Sequence, residues 1–253
     1  MTTRFIFLAG MMLAMTPVAP AFAATTADVP VKPLRTLTWN LTMAVGTMRR
    51  IQTSGLRSDS SSGMSGGTGS GNTGSGASAE SKGTITVDVI AVAAEGLVVD
   101  IAENASGRGR PKVRVAITNA GILSFDPKEA ANVSEEETVL LRTLARGFLV
   151  ETPAPGVSWN VDDSGNGVTA VEHYSVKSKT NDEVSLDYKV ESSAKGANAF
   201  SATRLGSIVY DAKYVMPLKL AYQEIVSQDR IGQSDRTTTS VDLKLASDTF
   251  KKN

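Results

Sequence analysis

The sequence predicts an α+β protein, mostly antiparallel β, in which a curved sheet or open half-barrel wraps around one helix. Most segments alternate apolar and polar residues, which is typical of half-buried strands, and turn residues rather than helices separate them. One stretch, at about residues 134–148, instead repeats its apolar residues every three or four positions. An isolated helix of this length is only marginally stable in water. Since the strands are the only partner for its apolar face, we expect the sheet to curve around it.

The predicted helix has a clear beginning. Ser134 is a favourable N-cap, and Glu137 follows three positions later, which is the spacing of a capping box. Leu140, Leu144 and Phe148 recur at i, i+4 and i+8 and give the helix one apolar face.

The strand pattern predicts hairpins on both sides of this helix. Residues 34–51 alternate over a long strand, and residues 85–101 form a hairpin pattern around a turn at Glu95-Gly96. Residues 168–190 repeat the pattern, and the last long alternation before the C-terminal strand contains Pro217. A proline has no N–H for a ladder, so Pro217 predicts either an edge strand or a bulge.

The first residues have the pattern of a secretory signal peptide. Arg4 precedes an apolar run from Phe5 to Met15, and Ala21-Phe22-Ala23 matches the small-residue cleavage pattern. The run is too short to cross a bilayer. We therefore expect residues 1–23 to be removed and the protein to be exported. Because the chain has no cysteine, a bacterial periplasm or exterior is the expected destination.

The remainder, residues 24–253, is expected to form a single β-rich domain. Residues 58–81 consist largely of Ser, Gly, Thr and Asn. Such a tract cannot bury enough apolar surface to offset its conformational entropy, so we expect a disordered loop between two strands.

Composition argues against several classes of function. Loss of Arg4 with the signal leaves 25 basic residues against 26 acidic ones, a net charge of −1, which does not suit a protein that binds nucleic acid. No later stretch approaches the ~18 apolar residues of an integral membrane segment. With no cysteine and one histidine, His173, the chain is expected to hold no metal and no cofactor.

A hydrolase is a third-ranked hypothesis that depends on two residues. Ser65 lies in a G-x-S-x-G match, and His173 is the only candidate base. That motif needs a strand before the serine and a helix after it, whereas Ser65 lies in the Gly/Ser tract. We therefore expect the protein not to be an enzyme.

Two further short matches are interpreted as turns. Residues 108–111, Arg-Gly-Arg-Pro, match the core of a peptide that binds the DNA minor groove, but one such copy in an exported protein of balanced charge indicates a solvated turn. Asp162 to Gly167 match the first half of a calcium loop, but His173 stands where a bidentate glutamate is needed.

The arrangement of elements resembles the LolA/LppX-type periplasmic carriers over about residues 34–250. The similar parts are the first strand, residues 37–41, the helix and the returning strand, residues 214–222. The resemblance implies an unclosed barrel whose apolar interior, plugged by helical segments, holds an acyl chain. The chain departs from the family in having one clear helix and no lipid-attachment cysteine. On this resemblance, ligand contacts fall on Trp39, Leu41, Met43, Leu140, Leu144 and Met216.

Two functional hypotheses of different class follow. The leading one is a secreted or periplasmic non-enzymatic protein that binds a hydrophobic or lipid-like ligand in an apolar cleft between sheet and helix. The alternative is a structural or assembly protein of the bacterial cell envelope without a small-molecule ligand. Its motivation is an edge strand at Pro217 that accepts a strand from a partner protein.

Overall fold

The computed structural model contains one antiparallel sheet and one α-helix among the residues it describes. Those residues are 32–51, 77–94, 96–105, 108–118, 122–147, 154–164, 167–196, 199–213, 216–230 and 233–250. The helix is α1, Glu135–Gly147, and a single 3-10 turn, Ala130–Asn132, precedes it. The strands are β1 Arg35–Ile51, β2 Ala77–Ala93, β3 Gly96–Ala105, β4 Arg108–Gly109, β5 Val113–Thr118, β6 Leu123–Ser124, β7 Ser158–Asp162, β8 Val168–Lys179, β9 Glu183–Ala194, β10 Phe200–Asp211, β11 Met216–Arg230 and β12 Gln233–Asp248.

The strand order explains how the helix reaches both sides of the sheet. The order is β6-β5-β3-β2-β1-β12-β11-β10-β9-β8-β7, with the short β4 paired to β3. The first half of the chain runs from the centre of the sheet to one edge, β6, and the second half returns from the other edge, β7. The segment between them contains α1, so the connection that carries the helix joins the two edges.

This connection requires the sheet to curve. In a flat sheet the edge strands, ten spacings of about 4.8 Å apart, would be separated by roughly 48 Å. The 13-residue helix is only about 20 Å long. It nevertheless packs against β3, β5 and β6 on one side and against β11 on the other. The expected α+β fold, a curved open sheet around one helix, is therefore confirmed.

One face of the sheet is apolar and faces the helix. Cross-strand pairing aligns buried side chains in rows, because residues opposite each other in a ladder point to the same face. The longest apolar row crosses six strands and contains Leu41, Leu243, Leu220, Ile208, Leu186 and Val176. We call this side of the sheet the inner face.

The helix begins as the sequence predicts. The Ser134 N–H donates to the Glu137 carboxylate at 2.7 Å, and the Glu137 N–H donates to Ser134 Oγ at 3.0 Å, which completes the capping box. Leu140 and Leu144 are buried in the core. Phe148, the third residue of the predicted apolar face, lies outside the described residues.

Pro217 belongs to β11, which is an inner strand of the sheet, so the prediction of an edge strand is wrong. Its strand, β11, is paired with β10 on one side and with β12 on the other. The alternative prediction of a bulge is confirmed, since the β10–β11 register shifts between Val209 and Tyr210, where Tyr210 opposes Pro217. The ladder with β12 begins only at Lys219, so Pro217 forfeits no bond to that strand, and its carbonyl accepts a buried bond from Trp39 Nε1 at 3.0 Å.

The loop predicted at residues 58–81 ends earlier than expected. Strand β2 starts at Ala77, so residues 77–81 pair with residues 43–47 of β1. Main-chain pairing with the long strand β1 extends the ladder through residues whose side chains give no strand signal. Residues 58–76 lie outside the described residues, as do residues 1–23 of the predicted signal peptide.

Gly206 provides space for a tyrosine ring on the inner face. It is the direct partner of Tyr188 on β9 and of Tyr222 on β11. A Cβ at this position would lie 2.4 Å from Tyr188 Cε1 and 2.5 Å from the Ala221 carbonyl oxygen. The absence of a side chain therefore allows the two tyrosines to approach each other.

We expect Gly206→Ala to destabilise the protein by about 1–3 kcal/mol, because backbone and a packed ring must both move to admit the methyl group. Gly46→Ala is the matched control, since a Cβ there meets nothing within 4 Å. Urea unfolding of both variants measures the difference. Equal free energies of unfolding for the two variants would contradict the packing described for Gly206.

Candidate functional site

The inner face changes from apolar to polar along the strands. Beside the apolar row lies a second row, which we call the aromatic row, formed by Tyr222, Tyr188, Tyr174 and Trp159 with Gly206 between the first two. Beyond it lies a third row, in which Glu224 opposes Arg204 and Val190 opposes Glu172. The interior therefore has a fully apolar part and a polar end.

The aromatic row combines stacked rings with unpaired hydroxyls. The Trp159 and Tyr174 ring centroids are 5.4 Å apart, and those of Tyr174 and Tyr188 are 6.1 Å apart. The Tyr174 hydroxyl donates to Glu172 at 2.8 Å. Among the described residues, the hydroxyls of Tyr188 and Tyr222 have no hydrogen-bond partner, although these residues are only 6% and 5% exposed. Burial raises the pKa of both hydroxyls, so they remain protonated.

Arg204 connects the sheet to the beginning of the helix. Its Nη2 donates to Glu135 on α1 at 2.5 Å and to Glu224 on β11 at 2.8 Å, and its guanidinium lies 4.9 Å from the centroid of the Tyr222 ring. Burial opposes the charge of Arg204, but the two carboxylates outweigh it and raise the pKa above its usual value. The guanidinium is therefore always charged and holds two elements together.

Arg142 makes the corresponding connection two turns further along the helix. Its Nη1 lies 3.2 Å from Glu172 on β8, and its Nη2 lies 2.8 Å from Asp163, just after β7. Nearby, the Tyr210 hydroxyl donates to the Thr143 carbonyl of the helix at 2.8 Å. We refer to Arg204 and Arg142, each between two carboxylates, as the two arginine clamps.

Carboxylates are concentrated where the helix begins. Glu136 and Glu137 on α1 both experience the negative charge of Glu103 on β3. Burial raises the pKa of Glu136, and burial together with Glu103 raises the pKa of Glu137 to about 7, against the hydrogen bond from the Ser134 backbone. Burial also raises the pKa of Glu224. We define the acidic cluster as Glu103, Glu135, Glu136, Glu137 and Glu224.

Three buried polar atoms on these strands lack partners among the residues that the structure describes. Glu103 Oε2 is buried and accepts no hydrogen bond, and Ser81 Oγ on the adjacent strand β2 is in the same condition. Arg204 Nε, between the acidic cluster and the aromatic row, likewise has no acceptor there. Buried polar atoms normally find partners, and the described core contains a further unpaired atom, Trp159 Nε1, at the other end of the aromatic row.

The structure brings the six predicted ligand contacts into one core. Trp39 and Leu140 are 0% exposed, and Leu41 and Leu144 are nearly so, while Met43 and Met216 are only partly buried against the same cluster. The sequence does not single out Arg204, Tyr188 or Tyr222. One signal in the sequence could have identified Arg204. This charged residue occupies the same alternating positions of β10 as the apolar residues Ala202, Ile208 and Tyr210, which face the core.

The other motifs have local roles in the described structure. His173 Nδ1 is 2.8 Å from Asn160 Oδ1, and Ser65 lies outside the described residues. Asp162 accepts hydrogen bonds from the Ser164 side chain and from the Ser164 N–H, which hold the pKa of that carboxyl low and form a turn. Arg108 belongs to β4, which pairs with the end of β3. In the part of the chain that is described, no three metal-ligating side chains converge on a metal site.

Replacing the guanidinium of Arg204 should cost the protein about 3–5 kcal/mol, because Arg204→Met leaves two carboxylates without their buried partner. Arg114→Met is the control, since its ion pair with Asp100 lies on the outer face with side chains 39% and 14% exposed. That variant should lose no more than about 1 kcal/mol. Chemical denaturation measures both, and similar losses would contradict a clamping role for Arg204.

The raised pKa of Glu137 predicts that stability falls as the pH rises. Between the ordinary value of 4.5 and about 7, the folded state binds more protons at Glu137 than the unfolded state does. Glu137→Gln keeps a capping-box acceptor and removes this titration. The decrease in unfolding free energy from pH 5 to pH 8 should therefore be smaller in the variant, by on the order of 2 kcal/mol. Parallel pH profiles would show that Glu137 does not titrate in this range.

In the described residues, no helix has the length and apolar character needed to cross a membrane.

No protein-family model and no curated protein matches the chain. It is similar to a solved structure of lipovitellin, described by its lipid–protein interactions, with a TM-score of 0.48 and 9% sequence identity. The match covers 88% of this chain and 26% of lipovitellin, so the chain spans about a quarter of that protein's length.

Proposed function

We propose that the protein is a non-enzymatic carrier, exported to a bacterial periplasm or exterior, that holds a hydrophobic or lipid-like molecule between its sheet and its helix. The observation that carries this proposal is the way α1 lies over the sheet. Its principal contacts are with β3, β5 and β6 on one side and β11 on the other. Strands β2, β1 and β12 lie between these groups. The helix thus bridges a floor of three strands.

The floor has the chemistry of a site for an apolar chain. Its inner-face residues include Trp39, Leu41, Ile85 and Leu243, all aliphatic or aromatic. Met43 continues the same face of β1 and is only partly buried. Methionine side chains adapt readily to differently shaped apolar partners, which suits a carrier that accepts chains of different length.

The absence of catalysis is part of the proposal, and the environment of the titratable groups supports it. His173 is hydrogen-bonded to Asn160, and the nearest carboxylate, Glu191, is 3.7 Å from its Nε2. The buried arginines are each engaged by two carboxylates. These groups are used to hold elements together.

The carrier proposal predicts saturable binding that depends on Met43. Met43→Trp places a larger side chain on the floor and should weaken binding of a fluorescent fatty acid at least about tenfold, equivalent to about 1.4 kcal/mol. Met48→Trp is the matched control on the outer face of the same strand, where Met48 is 58% exposed. That variant should bind like the unmodified protein. Fluorescence titration measures both dissociation constants, and circular dichroism checks the folding of each variant.

Mass spectrometry of gently purified protein provides the complementary measurement, and co-purified amphiphiles are the expected result. If Met43→Trp does not fold, Met216→Trp tests the same interior from β11. Absence of saturable uptake together with absence of co-purified lipid would overturn the carrier proposal.

A further inference from the structure

We infer that the Tyr188 and Tyr222 hydroxyls and Arg204 Nε bind an uncharged oxygen acceptor, so that the carried molecule is a neutral lipid with an ester or alcohol head group. This inference rests on the proposed carrier function and specifies the class of its ligand. It is carried by the contacts that join these three side chains, by their unpaired atoms and by the partly exposed inner face beside them.

The three side chains are neighbours on strands β9, β10 and β11. Tyr188 and Tyr222 are both direct partners of Gly206, and a Cβ on that glycine would collide with both of their side chains. Arg204 lies two residues before Gly206 on the same face of β10, and its guanidinium is 4.9 Å from the centroid of the Tyr222 ring. Strand pairing and side-chain contact therefore bring the two phenol rings and the guanidinium together.

Each of these side chains has an unused hydrogen-bonding atom. Tyr188, Tyr222 and Arg204 are 6%, 5% and 4% exposed, and neither hydroxyl nor Arg204 Nε has a hydrogen-bond partner in the described structure. The Nε–H of an arginine can only donate, and each tyrosine hydroxyl has one hydrogen bond to donate. Because a buried donor without an acceptor is unfavourable, an oxygen that accepts hydrogen bonds would complete the site.

The charge around Arg204 favours an acceptor that is uncharged. Its guanidinium already forms ion pairs with Glu135 on α1 and Glu224 on β11. A carboxylate or phosphate head group would add a further negative charge to this buried group and would be repelled. An ammonium head group would be attracted by the carboxylates, but it has no acceptor for Arg204 Nε. An ester or hydroxyl oxygen accepts the hydrogen bonds without adding charge.

The inner face beside Tyr222 is partly open and largely apolar. Met43 on β1 lies in the same row as Tyr222, separated from it by one residue of β12, and Val45 opposes Thr239 in the next row. Met43, Val45 and Thr239 are partly exposed, although they lie on the inner face, whereas Leu41, one row deeper, is buried. A hydrocarbon chain packed on Met43 would therefore place its head group beside Tyr222.

Five probes with chains of eight carbons test this inference on the purified protein. Octanol and methyl octanoate have uncharged oxygen acceptors, octanoate and octylammonium are charged at neutral pH, and chlorooctane has no oxygen. Displacement of the uncharged fluorophore Nile red measures the dissociation constant of each probe. We expect octanol and methyl octanoate to bind at least about tenfold more tightly than octanoate and octylammonium, because burial of an unbalanced charge is unfavourable.

Tyr188→Phe and Tyr222→Phe each remove one hydroxyl and keep the ring. Each should weaken the binding of octanol and methyl octanoate about fivefold, as expected for one lost hydrogen bond, and leave that of chlorooctane unchanged. Neither should lower the urea midpoint of unfolding, since these hydroxyls have no partner in the described structure. Tyr174→Phe is the matched control, because its hydroxyl donates to Glu172. That variant should lower the midpoint and leave the binding of all the probes unchanged.

The outcomes separate the inference from the carrier proposal. Tightest binding of octanoate or octylammonium would overturn the neutral head group and leave the carrier proposal standing. Unchanged binding of octanol and methyl octanoate in both tyrosine variants would do the same. A fall in urea midpoint as large as that of Tyr174→Phe would show that the two hydroxyls already have partners, and would also overturn the inference. Binding of no probe, Nile red included, would overturn both proposals.

The two uncharged probes also distinguish the two kinds of neutral lipid. Tighter binding of methyl octanoate would support an ester head group, and tighter binding of octanol would support an alcohol. If one of the tyrosine variants does not fold, the other decides, because each removes a different donor from the same site.

Discussion

The two arginine clamps hold the only described helix in place, and the interior depends on that helix. Arg204 connects the first turn of α1 to β11, and Arg142 connects its middle to β8 and to the residue after β7. Buried ion pairs contribute little net stability compared with apolar packing, but loss of one partner is costly. Their value here is therefore in fixing the position of the helix. The capping box of Ser134 and Glu137 fixes the residue at which the helix begins, at the same end as Arg204.

The position of the helix gives the sheet two kinds of interior surface. Where α1 packs against β3, β5, β6 and β11, the interior is filled by side chains of both elements. The inner-face side chains of β2, β1 and β12, between these contacts, belong to the same core cluster. The same chain order that places the helix between the two sheet edges brings Glu135 of α1 to Arg204 of β10, whose guanidinium lies over the Tyr222 ring of β11.

The periodicity of the sequence is sufficient to predict the helix and the strands, but it does not show which strands lie next to one another. The capping box and the apolar face of α1 are local patterns, and both are present in the structure. The sequence predicts either an edge strand or a bulge at Pro217, because it does not show which strands flank β11. The sequence does not reveal the polar end for the same reason, since Glu135 and Arg204 lie 69 residues apart and meet only through the fold of the sheet around the helix. The burial of Trp39 and Leu41 is predictable because the alternation within a single segment is enough to show the buried face of a strand.

Native-state hydrogen exchange of the α1 backbone amides is the most direct test of this account. A helix fixed by two buried arginines and its apolar face should open only with the whole protein, so its slowest amides should report the global unfolding free energy. That result would agree with a floor that is permanently covered. Exchange of the same amides at rates close to those of an unprotected chain, while β1 and β12 remain protected, would show that the helix leaves the sheet and would contradict the account.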